Sequence, residues 1–259
     1  MIGVVAGAGP FAGLDLLNKL LDETAAATDQ DHVSVISWSQ PETIPDRTEY
    51  LLGKTAVNPA NPLLTQLLNL ERAGATVAGI PCNTAHAPAI FDQIEAGLAA
   101  AHSSLQVLHM IAEVGAFLRD NHPQIERVGV LSTTGTAVAR VYPLTLEPLG
   151  FKVLSLPETT QTTQIHPSIY DPHYGIKALG KDAPHARKLL LDGAATLRMS
   201  GAQAIILGCT EIPLVIQEKS LMGMAVIDPT RVLARALIRQ SAPDKLKPLL
   251  PGIKGQNFL

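Results

Sequence analysis

The sequence predicts an α/β protein of two similar halves, each a mostly parallel sheet flanked by helices, with a ligand cleft between them. Three observations carry that prediction. Short apolar runs alternate with longer amphipathic ones, the pattern of βαβ units. Matching strand-and-loop segments recur in the two halves of the 259-residue chain. Hydrophobic residues make up 46% of the chain and charged residues only 17%, below the roughly 25% of an average domain, so much of the chain is destined for burial.

Taken in order, the first apolar run, Ile2–Ala6, reads as a strand that stops at the Gly7-Ala8-Gly9-Pro10 turn. A helix over Phe11–Ala27 follows, with leucines recurring at helical spacing. Val33–Trp38 is rich in β-branched residues and reads as the second strand. Asn61–Ala73, a longer amphipathic run, reads as a helix. Thr76–Pro81 is a strand closed by its proline, and a helix lies near Ala87–Ala100. Strand Leu105–His109 and helix Ile111–Asn121 complete the first half. The second half repeats the pattern with strands Val128–Leu131, Phe151–Leu156, Ala204–Leu207 and Ala225–Ile227.

The repeat is visible in the letters. Residues 73–84 read AGATVAGIPCNT and residues 200–211 read SGAQAIILGCTE, which sets Cys82 and Cys209 127 positions apart. Within one residue, the same offset relates Ile2–Pro10 to Val128–Thr136 and the helical stretch Asn58–Arg72 to Pro184–Met199. Parallel strands joined by right-handed crossovers place their C-terminal ends on one edge, and ligands bind just beyond that edge. The segments Ala6–Pro10, Cys82–Thr84, Ser132–Thr136 and Cys209–Glu211 all follow strand ends. Two facing halves therefore put both cysteines on the walls of one cleft.

Composition narrows the partners. The net charge is −3 and aromatics are 4%, with no Lys/Arg block, which argues against a nucleic-acid binder. No stretch approaches the roughly 18 unbroken apolar residues of a membrane span. The apolar opening lacks the basic start of a signal peptide, and two cysteines do not make a secreted disulfide scaffold. The expectation is a cytoplasmic protein acting on a small molecule.

An isolated cysteine is usually a small buried hydrophobe. Here the two occupy equivalent repeat positions, each where a strand ends and a helix is expected to begin, a setting that lowers a thiol's pKa. A disulfide between them would need an oxidising compartment, and His86 and His109 show no metal-ligand spacing with either cysteine. Two thiols across a substrate suit inversion of a carbon centre: one removes a proton from one face while the other supplies a proton to the opposite face. Covalent catalysis needs only one nucleophile. The run Gly7–Ala12 matches a dinucleotide-binding GxGxxG/A, but Pro10 removes a donor and no acidic residue ends the second strand. A turn that brings Gly9 and Pro10 close to a small anion is preferred. Arg47, in the polar loop Pro45–Thr48, can clamp a carboxylate, or form an ordinary ion pair with Asp46 or Glu49.

The segments PCNTAH (Pro81–His86), GCTE (Gly208–Glu211), PDRTEYLLGK (Pro45–Lys54) and STTGT (Ser132–Thr136) together resemble the cofactor-independent aspartate/glutamate racemase superfamily, over about residues 1–240. The resemblance implies two α/β domains facing each other across the active site, no cofactor or metal, and a homodimer. It places residues 1–112 and about 225–259 in the first domain and 113–224 in the second, the final strand and helix returning to the first. It makes Cys82 and Cys209 the catalytic thiols and assigns a substrate carboxylate to Arg47 and Lys177. It further assigns the α-carboxylate and amine to Asn83, Thr84, Thr133, Thr134 and Thr210. Glutamate racemases carry Asp-Ser-Gly after the first strand and His after the second Cys-Thr. Gly7-Ala8-Gly9 and Glu211 stand at those places here, and with the Asp46-Arg47 pair they favour aspartate over glutamate. Glu211 joins the expected substrate-binding residues. Racemisation of a broader set of amino acids, and a hinge-closing binding module without catalysis, are the alternatives. The tail from Ser241 reads as an addition to the family pattern.

Overall fold

The computed structural model describes residues 1–249. In the first half, β1 (Ile2–Val5) leads to α1 (Pro10–Glu23) and β2 (Val35–Trp38). The short α2 (Arg47–Leu51), α3 (Ala60–Arg72), β3 (Val77–Gly79), α4 (Pro88–Ala100) and β4 (Gln106–Leu108) follow. These four strands form an all-parallel sheet in the order β2-β1-β3-β4.

Helix α5 (Met110–Asn121) carries the chain to β5 (Arg127–Ser132), α6 (Thr134–Val138), α7 (Val141–Leu146) and β6 (Lys152–Leu154). A helical stretch then runs through α8 (Glu158–Thr160), a π-turn at Gln161–Ile165 and α9 (His166–Tyr170). The half continues with α10 (Ile176–Leu179), α11 (Pro184–Met199), β7 (Ala204–Gly208), β8 (Ser220–Leu221), β9 (Met224–Ile227) and α12 (Pro229–Ser241). The second sheet has the order β6-β5-β7-β9-β8, parallel except for β8. Its first four strands repeat the spatial order of the first sheet, with β5 in the place of β1 and β7 in the place of β3. In both sheets the chain reverses its direction of travel between those two central strands. That switch point opens a crevice at their C-terminal ends.

The strands are short and apolar because they are covered on both faces. One continuous core joins the halves: Ile2 and Val4 of β1, Val128 and Val130 of β5 and Ala204 and Ile206 of β7 share it with α5, α7 and α12. Separate clusters cover the outer faces, α3 and α4 on the first sheet and α9 and α11 on the second. α12 starts sharply because Asp228 Oδ1 accepts from the amides of Thr230 and Arg231 at 3.0 and 3.2 Å.

Three expectations are corrected. The strand expected to return to the first half does not: β9 pairs in parallel with β7, Ile205 opposite Val226. Only the helix after it crosses back, α12 packing on α1, α5 and β3. α1 ends four residues earlier than expected, because Thr24 turns extended and its hydroxyl donates back to Leu20 O at 2.6 Å. Arg47 opens a short helix rather than lying in a loop, its start capped by Asp46. In the tail, Leu246 bridges Thr24, and residues 250–259 lie outside the described part. Among the described residues, no helix is long and apolar enough to cross a membrane.

Candidate active site

Four strand ends converge on one narrow cleft. Beyond β1, Gly7 is pressed against the exit of β2, where a Cβ would lie 2.7 Å from Gln40 N. No side chain fits there, and the tight turn leaves Ala8 on the cleft wall. Beyond β3, the chain turns at Ile80–Cys82 into a 3-10 turn over Asn83–His86. Beyond β5, Thr133 caps α6, accepting from Thr136 N at 3.3 Å. At the end of β7, Gly208 passes so close to β5 that a Cβ would lie 2.7 Å from Val130 Cγ1, and Cys209 follows.

The first half contributes Ala8, Arg47, Cys82, Asn83 and Thr84 to the cleft. The second contributes Thr133, Tyr170, Lys177, Cys209, Thr210 and Glu211. Nine of the twelve residues singled out in the sequence thus meet. Gly9 and Pro10 stand beside the cleft without lining it, although a Cβ on Gly9 would lie 3.1 Å from Glu211 Oε1. Thr134 lies at the start of α6, also off the lining, with its hydroxyl buried and unbonded. Both cysteines are buried and free.

A chain of hydroxyls seams the halves together: Thr48 donates to Thr133 at 3.3 Å, and Thr136 bonds both Thr133 at 3.1 Å and Thr84 at 3.0 Å. The seam is tight, since a Cβ on Gly135 would lie 2.8 Å from Thr48 Cα. Tyr170 adds a second crossing. Its hydroxyl donates to Asp46 Oδ2 at 3.0 Å, its ring stacks on His166, and Lys177 Nζ stands 5.3 Å from its centroid. Ala8 belongs to the Ala6–Pro10 segment expected at the ligand edge, whereas nothing in the sequence marked Tyr170, which arrives through tertiary packing.

The two thiols have different neighbours. Arg47 lies against Cys82, with its Nη1 and Nη2 donating to the carbonyls of Pro45 and Ala8 and its Nε buried without a partner. Burial opposes the guanidinium charge, but Cys82, Asp46 and Tyr170 outweigh it and raise its pKa. Cys209 donates its thiol hydrogen to Glu211 Oε2 at 2.9 Å, while Glu211 Oε1 accepts from Lys177 at 2.6 Å. Burial, and then the Glu211 carboxylate, push the Cys209 thiol well above its ordinary range. The sequence expectation of a lowered thiol at a helix start is therefore reversed for Cys209: only a 3-10 turn at Ile212–Leu214 follows, and a carboxylate intervenes. Glu211 itself is lowered despite burial, chiefly by Lys177 and the Cys209 bond. Asn83 Oδ1 accepts from Tyr142 at 2.6 Å, leaving its Nδ2 buried without a partner.

The sequence profile of the Asp/Glu/hydantoin racemase family matches residues 5–237. The chain belongs to that family. It is an isomerase with the racemase fold, and its solved relatives agree. The Picrophilus torridus aspartate racemase superposes with a TM-score of 0.76 at 28% identity, covering 93% of each chain. A glutamate racemase from Francisella tularensis, solved with D-glutamate, shares the fold with a TM-score of 0.65 at 18% identity, over 98% of this chain and 85% of that one. The broad-specificity amino-acid racemase RacX of Bacillus subtilis is 27% identical over 158 residues, 60% of this chain and 63% of that enzyme.

Proposed function

We propose that this racemase interconverts L- and D-aspartate without a cofactor, using Cys82 and Cys209 as its two proton-transfer groups. The cleft between them is formed by two domains: residues 1–112 joined by α12, and residues 113–228. The observation that carries the reading is the electrostatic pairing of the thiols within one cleft, Cys82 beside Arg47 and Cys209 bonded to Glu211. Arg47 and Lys177 place one cation on each wall of the cleft, an arrangement suited to an amino acid carrying two carboxylates.

In this reading the side-chain carboxylate lies between Arg47 and Lys177, and the α-carboxylate takes hydrogen bonds from Asn83, Thr84, Thr133 and Thr210. The buried, unbonded Nδ2 of Asn83 and Nε of Arg47 are donors suited to carboxylate oxygens. In one direction the Cys82 thiolate takes the α-proton, the Cα–H electron pair delocalises into the α-carboxylate, and Cys209 delivers its proton to the opposite face. The reverse direction exchanges the roles. Preorganised donors at the α-carboxylate stabilise the developing enediolate charge, in a buried cleft where such interactions are strong.

A broader substrate range has one observation in its favour, the likeness to RacX. Incubating the reduced protein in D₂O with L-aspartate, then with L-glutamate and L-alanine, separates the readings by chiral chromatography and mass spectrometry. D-aspartate carrying deuterium at Cα, formed faster than the D-forms of the others, is the expected result. Equal rates would support the broader range, and no exchange with any of them would remove the two-thiol reading.

A further inference from the structure

Next to Cys82, and outside the lining of the cleft, lies a buried ring to which the reaction above gives no task. His86 packs nearly parallel to Phe91 of α4, centroids 5.0 Å apart at 23°. His109 meets it edge-on at 4.8 Å. His109 is itself fixed as the N-cap of α5, its Nδ1 accepting from Ala112 N at 3.2 Å. Two helices therefore hold the His86 ring.

One edge of the ring faces the Cys82 carbonyl oxygen, 2.9 Å from Nδ1. A carbonyl only accepts, so the proton sits on Nδ1. The other nitrogen, Nε2, is buried and has no hydrogen-bond partner. Burial, reinforced by His109, pushes the His86 pKa down to about 3, so the ring is neutral. A buried nitrogen without a partner costs stability, and an apolar ring would fill the same space without that cost. What the imidazole adds is the Nδ1–H bond. That bond joins Ala85 N, at 3.1 Å, on the same carbonyl and closes the turn from which Cys82 and Asn83 meet the cleft.

We propose that His86 is a positioning residue for Cys82, its Nδ1–H bond fixing the peptide after Cys82 and hence the aim of the thiol. The proposal rests on the two-thiol reading for its kinetic consequences. The device is one-sided: the residue four places after Cys209 is Pro213, which has no such donor.

The test uses the full chain with His86→Asn, whose amide nitrogen falls near the place of Nδ1, and His86→Gln, whose amide reaches instead toward Nε2. Each is assayed with L- and D-aspartate carrying hydrogen or deuterium at Cα. Iodoacetamide modification of the two thiols is followed in parallel by mass spectrometry. His86→Gln is expected to lower kcat/KM about 100-fold, the scale of an ångström-sized misplacement, and His86→Asn to recover most of it. In His86→Gln the primary isotope effect should rise for the enantiomer deprotonated by Cys82 and fall for the other. The Cys82 modification rate should change while that of Cys209 holds. Equal behaviour of Asn and Gln, isotope effects moving alike for both enantiomers, or both thiols shifting together would each overturn the proposal. A wild-type chain without exchange would defeat the two-thiol reading, and the modification rates would still decide the role of His86.

Discussion

Replacing Glu211 by Gln separates two consequences of one buried carboxylate. Glu211 is paired with Lys177 at 2.6 Å, and their side chains are 5% and 29% exposed. Stripping the charge from one member of a fully buried pair costs about 3–5 kcal/mol. Lys177 keeps some contact with water and Gln still offers a carbonyl, so about 2 kcal/mol is expected here. For a chain of this size each kcal/mol moves the melting temperature by about 2–4 °C, so Glu211→Gln should melt about 4–8 °C below wild type at pH 7.

The pH dependence has a definite sign. The folded protein holds the Glu211 carboxyl below its ordinary value of 4.5, so its contribution is fully present above that pH and is lost as the pH falls through the folded-state value. The gap between wild type and variant, followed by differential scanning fluorimetry, should therefore close on acidification. Adding Lys177→Met removes the orphaned cation and should restore most of the lost stability. The second consequence is at Cys209, whose thiol is raised first by burial and next by Glu211. The pH midpoint for alkylation of Cys209 should fall in Glu211→Gln. A melting temperature equal to or above wild type at pH 7, together with an unmoved Cys209 midpoint, would refute the reasoning, because Lys177 would then be hydrated and the thiol insensitive to its neighbour.

Cys82→Ala and Cys209→Ala should each lower racemisation by at least about 100-fold, the scale of a lost acid–base group; near-normal turnover in a coupled D-amino-acid oxidase assay would contradict the two-thiol reading. Arg47→Met should reduce the preference for aspartate over alanine about 10-fold or more, since a hydrogen bond to a charged group contributes about 1.5–3 kcal/mol. An unchanged ratio of kcat/KM values would remove Arg47 from the substrate. Tyr142→Phe deletes the buried partner of Asn83 Oδ1 and should cost about 1–3 kcal/mol, read from urea unfolding; a cost below that range would mean that Asn83 finds another donor.

The repeat was legible because each strand is a short apolar run ending in small residues, a pattern that packing on both faces enforces locally. Cys82 and Cys209 could be placed on one cleft for the same reason, since parallel crossovers bring strand ends to a common edge. The sheet membership of β9 was not legible, because an apolar run such as Met224–Ile227 suits either sheet equally and pairing is decided by its neighbour β7. Tyr170 was invisible for a related reason: it reaches the cleft through a helical stretch with a π-turn, whose register no apolar periodicity marks. The electrostatics of Cys209 are not legible from its place at a strand end, because the carboxylate that raises its thiol belongs to a side chain two residues on.

That side chain is where the duplication stops being symmetric. The repeats align Cys82-Asn83-Thr84 with Cys209-Thr210-Glu211, so the residue two places after the thiol is a hydroxyl on one wall and a carboxylate on the other. The cations differ as well, Arg47 lying against Cys82 and Lys177 reaching Cys209 only through Glu211. A duplicated fold can supply two equivalent positions facing a substrate, but a two-thiol inversion begins with one proton to give and one site to receive. Two identical environments would not decide which thiol holds that proton. Divergence at the second residue after each cysteine removes that degeneracy on one wall, where burial and the Glu211 carboxylate favour the protonated thiol at Cys209.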